Sequence, residues 1–268
     1  MSTRIITGDC RSALQEYAPF DMLIADPPYG DTSLAWDQCC AGWIETAAKL
    51  LKPTGSMWVF GSMRFFQDIG VDFRLAGWKY AQDIVWEKNA GSGLHADRFK
   101  RVHEHIVQYY RVGAAWGSVY NDVQRTPGKP YKMTVPRPPH FGGNRSARYT
   151  AVSDGPRIMR SVILMKNLRG RAIHPTEKPS DLIEIIIRTS CHPGGLVGDM
   201  FAGSGSAGEA AMRSGRDYIG TEIDISMADK ARNRLSGLLP LVSVPAGTMG
   251  KECWAGVAMD GGGKDSLV

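Results

Sequence analysis

The chain has no long hydrophobic run: none of its 268 residues falls in a stretch of about 18 uncharged apolar positions, so no membrane span is expected. Its five cysteines (Cys10, Cys39, Cys40, Cys191 and Cys253) contain no C-x-x-C spacing. An odd, scattered set of this kind points to reduced thiols and away from a disulfide framework or a zinc site. Met1 to Ile6 carries no signal-peptide pattern and enters a strand at once, which makes a cytoplasmic protein the expectation. Internal repeats are missing as well. The glycine loop near residue 203 is not followed by the Lys-Ser/Thr pair of a triphosphate site.

What is present begins with enough apolar sequence, 43%, for a sizeable core. The net charge is +5, unevenly spread. Twelve Lys/Arg and two acids lie between Arg111 and Arg171, so that window is near +10 and the remainder near −5. A basic segment on a mildly acidic body is the footprint of a polyanion-binding surface.

Apolar patterning predicts strands over residues 4–7, 21–25, 56–60, 80–86, 103–110, 196–200 and 218–221. Helices are predicted over 11–17, 43–52, 65–76, from a Ser180 cap to 190, up to Arg213, and from a Ser226/Asp229 capping box to 235. Four segments follow: 1–112, a loop-rich insert at 113–171 with interleaved prolines and aromatics, 172–239, and a glycine-rich tail from 240 expected to be poorly ordered.

Two motifs carry chemistry. Asp26-Pro27-Pro28-Tyr29 ends the apolar run Met22 to Ala25. The prolines remove two backbone donors, leaving a carboxylate beside exposed carbonyls, a pair of acceptors for an amino group, with a flat aromatic face next to them. Taken alone, the tetrapeptide reads equally as a proline-stiffened turn. Asp199-Met-Phe201-Ala202-Gly203-Ser204-Gly205 follows a strand and opens a helix, and Glu222 ends the next strand nineteen residues past Gly203. Glycines there admit a ligand to the backbone, and the acid can take both hydroxyls of a ribose. This loop by itself leaves a dinucleotide open. His103 and His105 share a strand face without a third ligand, which favours a structural or hydrogen-bonding role over a metal site.

These motifs together resemble the S-adenosylmethionine-dependent DNA amino-methyltransferases. With D-P-P-Y first, a basic module second and F-A-G-S-G last, the order is similar to that of the permuted beta group, which holds adenine-N6 and cytosine-N4 enzymes. His174-Pro-Thr176-Glu-Lys178-Pro resembles the group's motif X and Ile84-Val-Trp86-x-Lys88 its motif VIII, and His103-Glu104 recurs there too. The resemblance covers roughly residues 4–112 and 172–236. It implies an α/β, Rossmann-like methyltransferase fold with a mostly parallel, doubly wound, circularly permuted sheet and an inserted target-recognition module.

It also implies roles. Asp26, Pro27, Pro28 and Tyr29 would hold the target base, with Trp86 packing on it and Lys88, Arg145 and Arg148 on the DNA. Asp9, Asp26, His174, Thr176, Lys178, Asp199, Phe201, Ala202, Gly203, Ser204, Gly205, Glu222 and Asp224 would surround S-adenosylmethionine. Adenine is preferred because the cytosine-N4 members usually carry serine in place of Asp26. Cytosine-N4 methylation, methylation of RNA or of a protein glutamine amide, and a catalytically silent DNA-binding protein are the competing readings. Double-stranded DNA is the implied partner, in a bacterial or phage-encoded protein working at the nucleoid, with a homodimer and a separate restriction endonuclease as further implied associations.

Overall fold

Eight strands form one sheet, seven from the short apolar runs of the two outer segments, which interleave rather than stack side by side, and one from the insert. In the computed structural model, residues 2–31, 34, 37–92, 96–136, 148–168, 173 and 176–238 are described. The first segment gives β1 (Thr3–Thr7), α1 (Cys10–Ala13), β2 (Phe20–Ala25), α2 (Trp43–Leu50), β3 (Leu51–Gly61), α3 (Met63–Leu75), β4 (Trp78–Ser92) and β5 (Arg101–Arg111). The insert gives β6 (Arg125–Thr126), β7 (Tyr131–Pro136), β8 (Arg148–Ser153), β9 (Arg157–Ile158) and β10 (Val162–Leu164). The last segment gives α4 (Ser180–Ser190), β11 (Leu196–Asp199), α5 (Ser206–Arg213), β12 (Asp217–Glu222) and α6 (Ile225–Ser236).

The sheet order is β1-β12-β11-β2-β3-β5-β4-β10. From β1 to β3 every pair is parallel; β5 runs antiparallel to both β3 and β4, and β10 parallel to β4. The chain's last two long strands therefore fill a gap between its first two.

Strand β2 shows why the sheet needs cover on both faces. Its side chains alternate between two cores, Met22 and Ile24 in one, Phe20, Leu23 and Ala25 in the other. α4, α5 and α6 close the first core through Leu182, Ile186, Ala210 and Ala231, while α1, α2 and α3 close the second through Leu14, Trp43, Ala47 and Phe73. Between β3, β5 and α4 a buried polar cluster crosses the first core. Trp58 Nε1 donates to Ser190 Oγ at 2.8 Å, and Gln108 Nε2 lies 3.0 Å from Ser56 Oγ and 3.1 Å from Ser190 Oγ.

Several local expectations are corrected. The predicted helix over 11–17 is a single α-turn followed by a 3-10 turn at Gln15–Tyr17. α2 ends at Leu50 and the chain is extended from Leu51, so Pro53 to Gly55 lie within β3. α4 is entered from Pro179 without a side-chain cap, and α6 is capped by Asp224, whose carboxylate accepts from Met227 N, rather than by Ser226. Within 113–171, β10 joins the main sheet beside β4, and β6/β9 and β7/β8 form two separate two-stranded ribbons. The tail from residue 239 lies outside the described residues.

Gln108→Leu should lower the unfolding free energy by about 1–3 kcal/mol, because it strands buried hydroxyls of Ser56 and Ser190 without their amide partner. Urea denaturation followed by tryptophan fluorescence measures this. A change near zero would show that the cluster contributes nothing net.

Candidate active site

The parallel register brings four acidic residues to the carboxyl ends of four adjacent strands. Thr7 pairs with Glu222, and Gly8 N donates to the Glu222 carbonyl at 2.9 Å, so Asp9 follows β1 next to the end of β12. Asp199 ends β11 opposite Ile24, and Met200 N donates to Ile24 O at 3.0 Å, so Asp26 emerges from β2 beside the 199–203 loop. The sheet winds one way from β11 to β12 and the other from β2 to β3. A crevice outside the strand ends is expected at that switch point, and a cavity of about 600 Å³ lies there.

Its lining joins the two motifs. Asp26, Pro27, Pro28 and Tyr29 form one side, and Asp199, Phe201, Ala202, Gly203, Ser204, Glu222 and Asp224 the other, with Asp9, Thr176 and Lys178 at the margins. Gly205 does not line the cavity; in αL conformation (φ 78°) it starts α5, and a Cβ there would meet Ala231 Cβ at 3.1 Å, so helix packing is what requires glycine. At Gly203 (φ +50°) a Cβ would meet open space, leaving a cradle beside the backbone.

Each strand-end acid is handled differently. Asp9 caps α1 and is clasped by Arg11, Nη2 to Oδ2 at 2.5 Å, which holds its carboxyl below the usual range. Glu222 accepts from Gly203 N and Asp224 N, both at 2.9 Å, so its carboxylate sets the glycine loop's position. Asp199 is buried, accepting from Phe201 N at 3.1 Å and Tyr218 OH at 2.9 Å, and burial pushes it up to about 7. Asp26 Oδ2 lies 2.8 Å from Lys178 Nζ.

Lys178 is 3% exposed. Its Nζ faces Asp26, the Thr176 carbonyl at 3.3 Å and Glu104 Oε2 at 3.5 Å. Burial alone would lower its basicity, but Asp26, Glu104 and Tyr29 raise it well above the usual lysine value. An ammonium with three donors and three acceptors around it is fully engaged. Lys178 lines the cavity, where the cofactor was expected, with its ammonium turned to Asp26.

Tyr29 is fixed through its backbone. Asp37 Oδ1 accepts from Tyr29 N and Gly30 N, both at 2.9 Å, and the ring packs 5.5 Å from Phe65. Asp31, two residues on, is buried against Arg64 and Arg101, tying the loop to α3 and β5. Asp37, Asp31 and Glu104 went unassigned in the sequence reading, because their role depends on loop closure and strand pairing, for which spacing gives no signal. Arg234 was missed for the same reason; it joins Glu177 Oε1, at 2.7 Å, to the Ser204 backbone at 3.4 Å, locking the 176–178 segment onto the glycine loop.

Trp86 is a correction. It is 2% exposed in the core, donates to Met165 O at 2.8 Å and does not line the cavity, so it cannot pack on a base without leaving the fold. Lys88 lies over the Trp86 ring and pairs with Glu104, which turns it inward, away from the expected DNA contact. His105 Nδ1 sits 3.7 Å from Asp83 and against His103, away from the cavity lining. His174 and Arg145 lie outside the described residues, as does the Arg148 side chain, whose backbone belongs to β8. Burial pushes the Cys10 thiol at the cavity wall up to about 12, which keeps it protonated and unreactive.

A doubly wound α/β sheet with an acid-lined crevice at its switch point, one wall a proline-stiffened carboxylate and the other a glycine loop, defines a group-transfer protein of the Rossmann-like class. The chain belongs to the N6/N4 DNA methylase family, which matches residues 20–233. It is similar to the type II methyltransferase M.HinfI of Haemophilus influenzae, 27% identical over 264 residues, covering 88% of this chain and 69% of the relative. It is also similar to the type II methyltransferase M2.DpnII of Streptococcus pneumoniae, 27% identical over 261 residues, covering 86% and 88%. In fold it resembles M1.HpyAVI solved in complex with SAM (TM-score 0.61, 24% identity, 87% of this chain and 100% of that one). The PvuII cytosine-N4-specific DNA methyltransferase shares the fold as well (TM-score 0.59, 16% identity, 91% and 89%).

Asp199 gives a pH test. Its folded value, about 7 against an ordinary 3.8, favours the neutral acid in the native state. Its contribution to stability is complete below the unfolded value and is lost as pH rises through the folded one. Asp199→Asn should therefore flatten the fall in urea midpoint between about pH 4 and pH 7. An unchanged slope would show that Asp199 is ionised in the fold.

Proposed function

We propose that the protein transfers a methyl group from S-adenosylmethionine to the N6 amino group of an adenine flipped out of double-stranded DNA. The observation that carries this reading is the meeting of Asp26-Pro27-Pro28-Tyr29 and the 199–205 loop across one crevice, through the Met200 N to Ile24 O bond.

The cavity's chemistry fits the cofactor. Seven acidic residues line it against two lysines, and one of those, Lys178, is engaged by Asp26. Such a lining repels phosphates and attracts a cation, which favours a sulfonium nucleoside over a nucleotide. The open cradle at Gly203, the two Glu222 oxygens beside it and the Phe201 ring are suited to hold a nucleoside there. Bound in the crevice, S-adenosylmethionine supplies an electrophilic methyl group.

The chain's own residues then prepare the nucleophile. A base inside a duplex cannot reach the crevice and must leave the stack, at a cost of a few kcal/mol. Tyr29, held by Asp37, offers a ring on which the extruded base stacks, worth about 1–3 kcal/mol. The exocyclic nitrogen is a poor nucleophile because its lone pair is delocalised into the ring. The Asp26 carboxylate and the Pro27 carbonyl accept its two hydrogens, favour a pyramidal nitrogen and stabilise positive charge as it attacks. Alignment by the two walls supplies much of the remaining acceleration.

Adenine is proposed because an aspartate, rather than the serine usual in the cytosine-N4 group, occupies position 26. The basic insert supports DNA over a free nucleotide, and likeness to type II methyltransferases supports a place beside a restriction endonuclease.

Incubation of genomic DNA with purified protein and cofactor, followed by sequencing of modified bases, tests the reading; N4-methylcytosine would overturn the choice of adenine, and no modification would overturn the reading. Asp26→Ala should lower methyl transfer by at least about a hundredfold, with cofactor affinity by calorimetry kept within a few-fold; full activity would remove Asp26 from the mechanism. Replacing Arg145 and Arg148 together by alanine should reduce the slope of log affinity against log salt by about two. An unchanged slope would exclude them as phosphate contacts.

A further inference from the structure

One charged cluster centred on the buried Lys178 is not accounted for by base or cofactor contacts. From the cavity inward it runs Asp26, Lys178, Glu104, Lys88, alternating in sign. Lys178 Nζ lies 2.8 Å from Asp26 Oδ2 and 3.5 Å from Glu104 Oε2, and Lys88 closes on Glu104 Oε1. Glu104 stands on β5 opposite Trp86 of β4, two residues from Lys88. Burial pushes Glu104 upward, yet Lys178 and Lys88 outweigh it and leave its carboxyl below the usual range. Lys178 also lies over the rings of Phe60 (5.6 Å) and Tyr29 (5.9 Å), which fix the ammonium between the base-holding loop and the core.

Burying the Lys178 ammonium and drawing three more charges partly out of water is costly, and an apolar filling of similar shape is often as stable or more so. Packing alone therefore does not explain the cluster. The need for it is visible at the strand ends. Asp26 and Asp199 come from adjoining strands at the same crevice, and the Asp26 charge helps keep Asp199 protonated. Two carboxyls so placed tend to share one proton. An Asp26 that held the proton would present a hydroxyl donor where an amino group needs an acceptor.

We infer that Lys178, braced from behind by Glu104, is a positioning residue that keeps Asp26 an ionised, fixed acceptor. Glu104 supplies the countercharge that stops Lys178 from itself losing a proton on burial, and Lys88 neutralises Glu104 in turn. This inference rests on the methyltransferase reading. It assigns Lys178 no contact with cofactor or base, and no proton transfer passes along the cluster.

The test compares wild type with Lys178→Arg, Lys178→Met and the double variant Lys178→Met/Glu104→Gln, which removes a buried cation and a buried anion together and so protects the fold. Thermal melts establish folding, calorimetry gives cofactor affinity, and single-turnover methylation of a duplex gives the rate against pH. The groups facing Asp26 in this profile are Lys178 from the segment before α4, Asp199 from β11, Tyr29 in its own loop and Glu104 behind Lys178. The folded double variant should lose at least about tenfold in rate at neutral pH with cofactor affinity kept, and its acid limb should move up by about one pH unit or more. Lys178→Arg should recover part of the rate because it restores the charge. An unshifted acid limb, a rate equal to wild type, or a loss of cofactor affinity parallel to the loss of rate would overturn the inference. The two readings fail separately: a wild type that transfers no methyl group sinks the methyltransferase proposal, whereas an active wild type with an indifferent double variant sinks this inference alone.

Discussion

The parallel pairing of β11 with β2 is the constraint on which the rest depends. It sets Asp199 opposite Ile24 and joins Met200 N to the Ile24 carbonyl. One residue of slip would turn every β11 side chain to the other face, removing Val197 from the core shared with α4 and α5. The same pairing brings a carboxylate and a glycine loop, more than 170 residues apart in sequence, to a common crevice.

Gathering acids at strand ends creates an electrostatic problem that the fold meets in four ways. Asp9 takes a guanidinium, Glu222 takes backbone amides, Asp199 is raised by burial toward its neutral form and Asp26 takes a buried ammonium. Asp26 thus stands with its ammonium partner close to the Tyr29 ring. The cavity thereby keeps distinct chemical characters within one lining: acceptor-rich at Asp26, carbonyl-rich at the prolines and backbone-rich at the glycine loop.

Much of this was legible in the sequence, and the reasons differ by residue. The strand residues Met22 to Ala25 and the Asp199 to Gly205 loop were readable because apolar runs and glycines report local conformation directly. The order of motifs carried the permuted topology. Lys178 lines the cavity beside the glycine loop, as its place in the sequence suggests, but its ion pair with Asp26 leaves no trace in the spacing of motifs. Trp86 failed for a related reason: on β4 an aromatic can face the crevice or the core, and the indole found its acceptor at Met165 in the returning insert. Asp37 and Asp31 were invisible because a carboxylate that ties a loop leaves no periodic trace. The caps of α4 and α6 were misjudged by one or two residues, the usual uncertainty where several Ser and Asp candidates adjoin.

The interleaved strand order has a consequence for the growing polypeptide. β1 and β2 emerge first from the ribosome but are not neighbours; the space between them is two strands wide and belongs to β11 and β12, which follow the whole basic insert. Among the described residues β1 pairs with β12 alone, so it has no partner there until residue 222 has been made. Contacts of such sequence separation close late and slowly. A truncated product ending in the insert therefore holds the D-P-P-Y residues without the 199–205 loop that completes the crevice beside them.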